Sequence, residues 1–527
     1  MPNIFAYLMI FAWPVLAFVA FRRMPLAMGV SAAMIGAQLL LPSQAAVDLP
    51  MIPTYDKVQS GTLAALLVML AASGNRQAAV GTDAALLPGW LPRSRLMLLC
   101  FFGAFATSIV TVLQNAEALH YGPLILPGLR TYDIFSSILS QIMVVLPFLI
   151  ARRTLATPEA QKMFLIVLTV AGLLYVLPTL YEVRMSPQLN RQIYGFFPAS
   201  FIQHVRFGGF RPVVFFSHGL KLSLFLAIAF LAALACIRLV KPQLRTRFTL
   251  TAAVLFGTLI LSKSVGAFLI AFILAPVMIF SPVRIKLLVA AGITAITLTY
   301  PVLRGNNLVP VDQMVDLAHN IDSDRAGSLQ FRFSQEDVLL EKASQKPFFG
   351  WGGWGRSRAY SQYGADISVT DGTWVILFGT GGWTKYVTTF GLLCLPVLLM
   401  TWRQKTLKPD ASAAAVALLL AGNMIDLIPN SGLLPMTWMM AGALTGRLEW
   451  QAAGVSDAEK PAETTKRDGT SLYDPGLREH PVDRPAGTMG PSHVVTSGMS
   501  VPTSPKRPKT GNTPYTPKLS KPGSRGV

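Results

Sequence analysis

Charged residues are scarce in this chain. They make up 13% of its 527 residues, about half the share found in an average soluble protein. Hydrophobic residues reach 52%, so there is too little charge to cover an apolar core of that size with a water-facing surface. Cysteine is scarcer still: Cys100, Cys236 and Cys394 lie far apart, each inside an apolar run. That spacing indicates buried thiols and points to neither a disulfide framework nor a clustered zinc site. No basic segment precedes the first apolar run at 4–21, and Arg22 and Arg23 follow it. The expectation is a first span whose start lies outside, not a cleaved signal peptide. No transporter-like internal repeat is visible.

Long apolar runs dominate instead. They recur at 4–21, 25–42, 60–73, 96–113, 131–150, 163–181, 213–239, 248–262, 265–281, 287–303, 385–402, 411–428 and 431–446. Most approach the ~17–25 residues needed to cross a bilayer, which predicts an all-α polytopic transmembrane helix bundle of about 12–13 spans over residues 1–446. Backbone polar groups cannot go unsatisfied in lipid, so the runs must be helical. With the N-terminus outside, strict alternation places Arg22/Arg23, Arg76/Arg93/Arg95, Arg152/Arg153, Lys241/Arg245/Arg247, Arg284/Lys286 and Arg403/Lys405/Lys408 all on the cytoplasmic side. These clusters and the tail account for most of the net charge of +19, and no alternation of basic and aromatic residues points to nucleic acid. From 447 to 527 Pro, Gly, Ser, Thr and Lys take over, which predicts a disordered cytoplasmic tail.

The same alternation leaves two larger external loops, 182–212 and 304–372. The first holds Arg184, Arg191, Arg206 and Arg211 with one acid, Glu182, and no lysine. External loops usually avoid positive charge, and a planar guanidinium pairs two phosphate oxygens at once, so anion recognition is indicated. Pairing with headgroups or nearby acids is the plainer alternative. In the second loop Arg325 and Arg332 are seven residues apart, on one helical face. The run Pro347–Gly355, PFFGWGGWG, followed by Arg356, is read in two ways: Trp351 and Trp354 stack on sugar rings, or small residues serve a tightly folded loop. Asp371 is placed either to act as a general base or to cap the next helix, and His319 is the second candidate base. Lys263, in an external turn, either meets a phosphate or snorkels to the interface. His218 and Lys221 lie near the same boundary.

Together these residues resemble the O-antigen ligase and polymerase-like membrane family, most closely its exopolysaccharide polymerases. The likeness is carried by Glu182 through Arg206, Gly208, Gly209, Arg211 and Pro212, then by Ser262-Lys263-Ser264 with Gly266. Arg325, Arg332, the run Lys346 to Gly352 and the Asp371-Gly372 pair before a glycine-broken helix complete it. It covers 180–390 by motif and the remainder by hydropathy layout. The resemblance implies metal-independent, cofactor-free, inverting glycosyl transfer at the periplasmic face of a bacterial inner membrane. A glycan leaves undecaprenyl diphosphate and an acceptor hydroxyl attacks its anomeric carbon, with Arg206, Arg211, Arg325, Arg332 and Lys263 holding the diphosphate. A repeat-unit flippase and a chain-length regulator are the implied protein partners. Family ligases carry histidine where this chain has Asp371, which favours a polymerase over a ligase. A flippase for lipid-linked sugars is the reading from another class, and it predicts ionisable residues along the span centres.

Overall fold

The computed structural model describes residues 1–49, 52–74, 86–198, 200–206, 208–320 and 323–459. Its helices in chain order are α1 (Ile4–Phe21), α2 (Leu26–Leu40), α3 (Lys57–Gly74), α4 (Arg95–Leu113), α5 (Thr131–Thr154) and α6 (Pro158–Met185). They continue with α7 (Leu189–Tyr194), α8 (Gly219–Leu239), α9 (Pro242–Leu261), α10 (Val265–Phe280) and α11 (Val283–Gly305). The last are α12 (Val311–His319), α13 (Ser323–Ser344), α14 (Thr373–Trp402), α15 (Gln404–Leu407), α16 (Ala411–Asp426) and α17 (Pro435–Glu459). Among them α1, α4, α5, α6, α8, α9, α11 and α14 are long and apolar enough to cross a membrane, and α2, α3, α10 and α16 are shorter apolar helices. Every expected span overlaps one of these elements or α17. The chain is a multi-pass helical membrane protein.

The bundle is organised around α8. In its most apolar stretch 83% of residues are buried inside the protein, against 22–61% in the other long helices, which keep a lipid-facing side. It packs on α6, α9, α10 and α16. Lipid offers apolar helices no hydrophobic reason to associate, so close backbone approach matters more. On α17, Gly442 and Gly446 lie four apart and press on α5, where a Cβ at either position would collide with the Phe148 or Arg152 carbonyl oxygen. At the end of the bundle where α5 finishes, Arg152 is wholly buried and pairs with Glu449 at 2.5 Å, and Arg447 pairs with Asp410 at 2.8 Å. Three residues expected only from composition, Arg152 as a charge marker and Arg447 and Glu449 as part of a tail, are thus fixed in the packing.

The connections depart from the expected boundaries in instructive ways. α8 starts at Gly219, because residues 213–218 are held in an irregular path before it. The buried Glu182 carboxylate accepts N–H bonds from Leu189, Val213 and Val214, so this lone acid organises the loop backbone and, among the described residues, pairs with no arginine. Loop 182–212 carries α7, a 3-10 turn (Phe201–His204) and a small hairpin of Val205–Arg206 with Gly209–Phe210. Loop 304–372 contains two helices, α12 and α13. α14 begins at Thr373, well before the expected 385, and breaks at Gly382, whose φ of 65° lies outside the helical region. Residues 447–459, expected to belong to the tail, continue α17 instead; residues 460–527 lie outside the described residues, as does Arg76.

Candidate functional site

At the end of the bundle opposite the Arg152–Glu449 pair, cations from four separate segments gather. The short hairpin supplies Arg206, and Arg211 follows it. The Arg211 N–H donates to the His204 carbonyl at 2.7 Å, and its Nη2 donates to the Lys263 carbonyl at 3.2 Å. Lys263 sits in the turn between α9 and α10 with a left-handed φ of 55°, strained for a residue with a Cβ, and its Nζ reaches back to the Arg206 carbonyl at 2.9 Å. Gly219 leaves room for the Arg211 stem to lie across the start of α8. Lys221, in the first turn of α8, lies against Gly432 in the segment between α16 and α17.

α13 brings the remaining cation. Arg332 Nη1 donates to the Pro429 carbonyl at 3.1 Å and to Asn430 Oδ1 at 3.2 Å, and its Nε lies 3.6 Å from Asp371 Oδ2. Asn430 is itself anchored by Nδ2 donating to Asp426 Oδ1 at 2.9 Å, while its backbone carbonyl accepts from Thr373. Asp371 does not cap α14: the cap position is Gly372, and the Thr373 N–H goes to the carbonyls of Leu427 and Asn430. Its carboxylate is 37% exposed, beside Arg332 at 27%, in a place where both can meet a ligand.

Donors in this cluster are underused by the protein. Arg206 is exposed, and its guanidinium makes no hydrogen bond or ion pair among the described residues. Among the described residues Arg211 Nε is buried without a partner, and Arg332 Nη2 makes no hydrogen bond. Burial, then the charges of Arg206 and Arg332, lower the Arg211 pKa to about 10, which still leaves it charged at neutral pH. An anion placed among these groups relieves their mutual repulsion and satisfies their N–H groups at once.

Two histidines complete the floor. Their rings lie 4.9 Å apart. Burial first, then His204, Arg211, Lys221 and Arg332, push His218 down to about 3, and burial with the nearby arginines lowers His204. Both are therefore neutral at physiological pH. His218 Nδ1 accepts the Leu220 N–H at 3.1 Å, so its proton sits on Nε2; His204 Nδ1 lies 3.0 Å from the Ser200 carbonyl, which assigns its proton to Nδ1 and leaves Nε2 as a buried lone pair. His204, Asp426 and Asn430 were not legible as site residues. His204 reads as one polar residue in an arginine-rich loop, and the other two reach the cluster only because the end of α16 and the segment after it meet Thr373 at the start of α14 and Arg332 on α13.

The remaining expected residues fall elsewhere. Arg325 is in α13, but its side chain lies outside the described residues. His319 is exposed at the end of α12, with no side-chain hydrogen bond or ion pair among the described residues. Trp351 is nearly buried, its ring covered by the ammonium groups of Lys342 at 3.6 Å and Lys346 at 4.7 Å. Arg356 is buried, and its three nitrogens donate to the carbonyls of Trp351, Pro127 and Glu117. Those two side chains hold the glycine–aromatic loop together. Trp354 alone of the three keeps a largely free ring, 60% exposed. Among the described residues no three His, Cys, Asp or Glu side chains form a metal-ligating group. No protein-family model, curated protein or solved structure matches the chain.

Proposed function

We propose that this chain is a polysaccharide polymerase of the O-antigen ligase and polymerase-like type, joining lipid-diphosphate-linked oligosaccharide repeat units at the periplasmic face of a bacterial inner membrane. The observation that carries the reading is the gathering of Arg206, Arg211, Lys263 and Arg332 at one end of a membrane bundle, with guanidinium N–H groups left without acceptors among the described residues. Such a site suits a diphosphate held at headgroup depth, with its isoprenyl chain in lipid and its sugars projecting away.

The chemistry follows from that placement. An acceptor hydroxyl attacks the anomeric carbon, the bond from that carbon to the diphosphate oxygen breaks, and configuration inverts. Charge developing on the leaving diphosphate is stabilised by the fixed guanidinium and ammonium groups, without a metal. The hydroxyl proton passes to a carboxylate at the site. Asp371 is the residue for this role, since it is partly exposed beside Arg332 and is not occupied in capping α14. The undecaprenyl carrier, a repeat-unit flippase and a chain-length regulator belong to the same reading. A ligase differs only in its acceptor, and Asp371 in place of the ligase histidine favours the polymerase.

The test is complementation of a strain lacking the chain with Arg206→Lys, Arg332→Lys or Asp371→Asn, scored by the size of the glycan on the lipid carrier. Lysine keeps the charge and loses the two-pronged geometry. The expected result is accumulation of single outward-facing repeat units with normally expressed protein. Normal-length polymer left unattached to its final acceptor identifies a ligase, and repeat units retained on the cytoplasmic face identify a transporter.

A further inference from the structure

A second polar feature lies beside the cationic cluster and shares a wall with it. A cavity of about 360 Å³ opens between α4, α5 and α14, a size at the lower end of the roughly 300–1,000 Å³ typical of small-ligand sites. Leu433 lines it, from the same segment whose Pro429 and Asn430 hold Arg332. Its lining is unusual for a membrane bundle. Ser136, Ser137, Ser140 and Gln141 lie on one face of α5, at spacings that bring i, i+1, i+4 and i+5 together. None of these four makes a side-chain hydrogen bond among the described residues, whereas other hydroxyls in the bundle, such as Thr107 and Thr154, bond back to their own helices. They present donors and acceptors to the cavity.

Lys385 faces them from α14, just past the break at Gly382. Its stem folds back across Gly381, where any side chain would occupy the same space, so the glycine sets the direction of the lysine. The ammonium has no hydrogen bond or ion pair among the described residues, and no carboxylate lines the cavity. A cation in that setting, at membrane depth, is costly without an anionic partner. Trp354 also lines the cavity while its ring is largely exposed, which sets an aromatic face where the cavity opens.

We infer that this cavity binds the acceptor sugar of the transfer reaction, and that this sugar carries a carboxylate paired with Lys385. One cation matches one carboxylate, whereas a phosphate finds its several partners in the arginine cluster next door. Uncommitted hydroxyl and amide groups match the donors and acceptors of sugar hydroxyls, and the Trp354 face packs against the ring C–H groups. This rests on the glycosyl-transfer reading, because a polymerase needs a second glycan site beside the diphosphate.

The experiment titrates the full chain, in phosphatidylcholine nanodiscs, with D-glucuronate and D-glucose, reading the sugars by saturation-transfer NMR. Glucuronate is expected to bind about tenfold or more tighter than glucose, the worth of one charge-assisted hydrogen bond. Lys385→Met removes that preference, and the double variant Ser137→Ala, Ser140→Ala weakens both sugars while keeping it. Equal binding of the two sugars, or glucuronate preference surviving in Lys385→Met, overturns the inference. So does displacement of glucuronate by phosphatidylglycerol added to the nanodiscs, which would make the cavity a lipid-headgroup site. Because the readout is binding, failure here leaves the polymer-length phenotype of Arg206→Lys and Arg332→Lys to judge the parent reading separately.

Discussion

Arg356 and Arg206 show how differently one chain uses the same side chain. Arg356 is buried and spends its donors on three backbone carbonyls, whereas Arg206 stands exposed with its guanidinium unclaimed among the described residues. The two therefore part experimentally. Arg356→Lys cannot reach all three carbonyls and is expected to lower the thermal midpoint, costing about 1–3 kcal/mol for the acceptors left unmade. Arg206→Lys is expected to leave the midpoint in place and to weaken binding of a short-chain isoprenyl diphosphate about tenfold or more, the loss of one charge-assisted bond. A fluorescence melt and a titration on the same two preparations check both. His218 gives a pH prediction. Its folded pKa lies near 3, below the ordinary 6.5, so the unfolded chain takes up the proton first as pH falls. Stability is therefore lost from about 6.5 downward toward 3, and His218→Gln flattens that part of a melting-point profile.

Among the elements, α14 carries the most local design. Its hydrogen-bond ladder breaks at Gly382, and the loop 347–352 repairs it: Trp383 N–H donates to the Pro347 carbonyl at 2.7 Å and Thr384 N–H to the Phe348 carbonyl at 3.2 Å. In return Trp351 and Gly352 donate to the carbonyls of Gly379 and Thr380, both at 2.9 Å. Gly350, at a φ of 62°, and Gly382 let the two backbones touch, since a Cβ on either would strike the other strand of chain. Of the two sequence readings of PFFGWGGWG, the tightly folded loop describes Trp351 and the glycines, while Trp354 remains free to stack. A different element contact, α17 on α5, yields a direct test. Gly442→Leu inserts a side chain against the Phe148 carbonyl and is expected to cost about 1–3 kcal/mol, read as earlier unfolding in a detergent titration. The docking of α13 should respond to pH. Burial raises Glu336 to about 7 despite the Trp374 N–H and Arg304 nearby, so protonated Glu336 is favoured in the docked state. Stability tied to it is present below the ordinary carboxylate value and is lost as pH rises through about 7. Hydrogen exchange across α13 should quicken over that interval in the native chain and stay level in Glu336→Gln.

At the scale of the whole molecule, hydropathy was legible because lipid demands it: each span must be apolar and helical, whatever its function. Boundaries were less so. Residues 213–216 are apolar yet not helical, since Glu182 claims the N–H groups of Val213 and Val214, and pairings 31 and 32 residues apart leave no trace in local pattern. Arg447 and Glu449 looked like the start of a polar tail and are buried by partners on other helices. Arg206, Arg211 and Lys263 stood out because they break the charge rule for external loops, while their meeting with Arg332 depends on tertiary contacts that no spacing encodes. Orientation itself has a simple check, helped by the burial of all three native cysteines. Cysteine placed at the exposed Ser328 should react with a membrane-impermeant thiol reagent added outside, and cysteine at the exposed Thr246 should not. Labelling of both from one side would break the proposed topology.

The most direct measurement is reconstitution of the purified chain in proteoliposomes with a lipid-linked repeat unit and no other protein. A ladder of multiples of that unit on the carrier is predicted, reduced to the single unit by Arg332→Lys. Passage of intact repeat units across the bilayer with no ladder would contradict the account and make the chain a transporter.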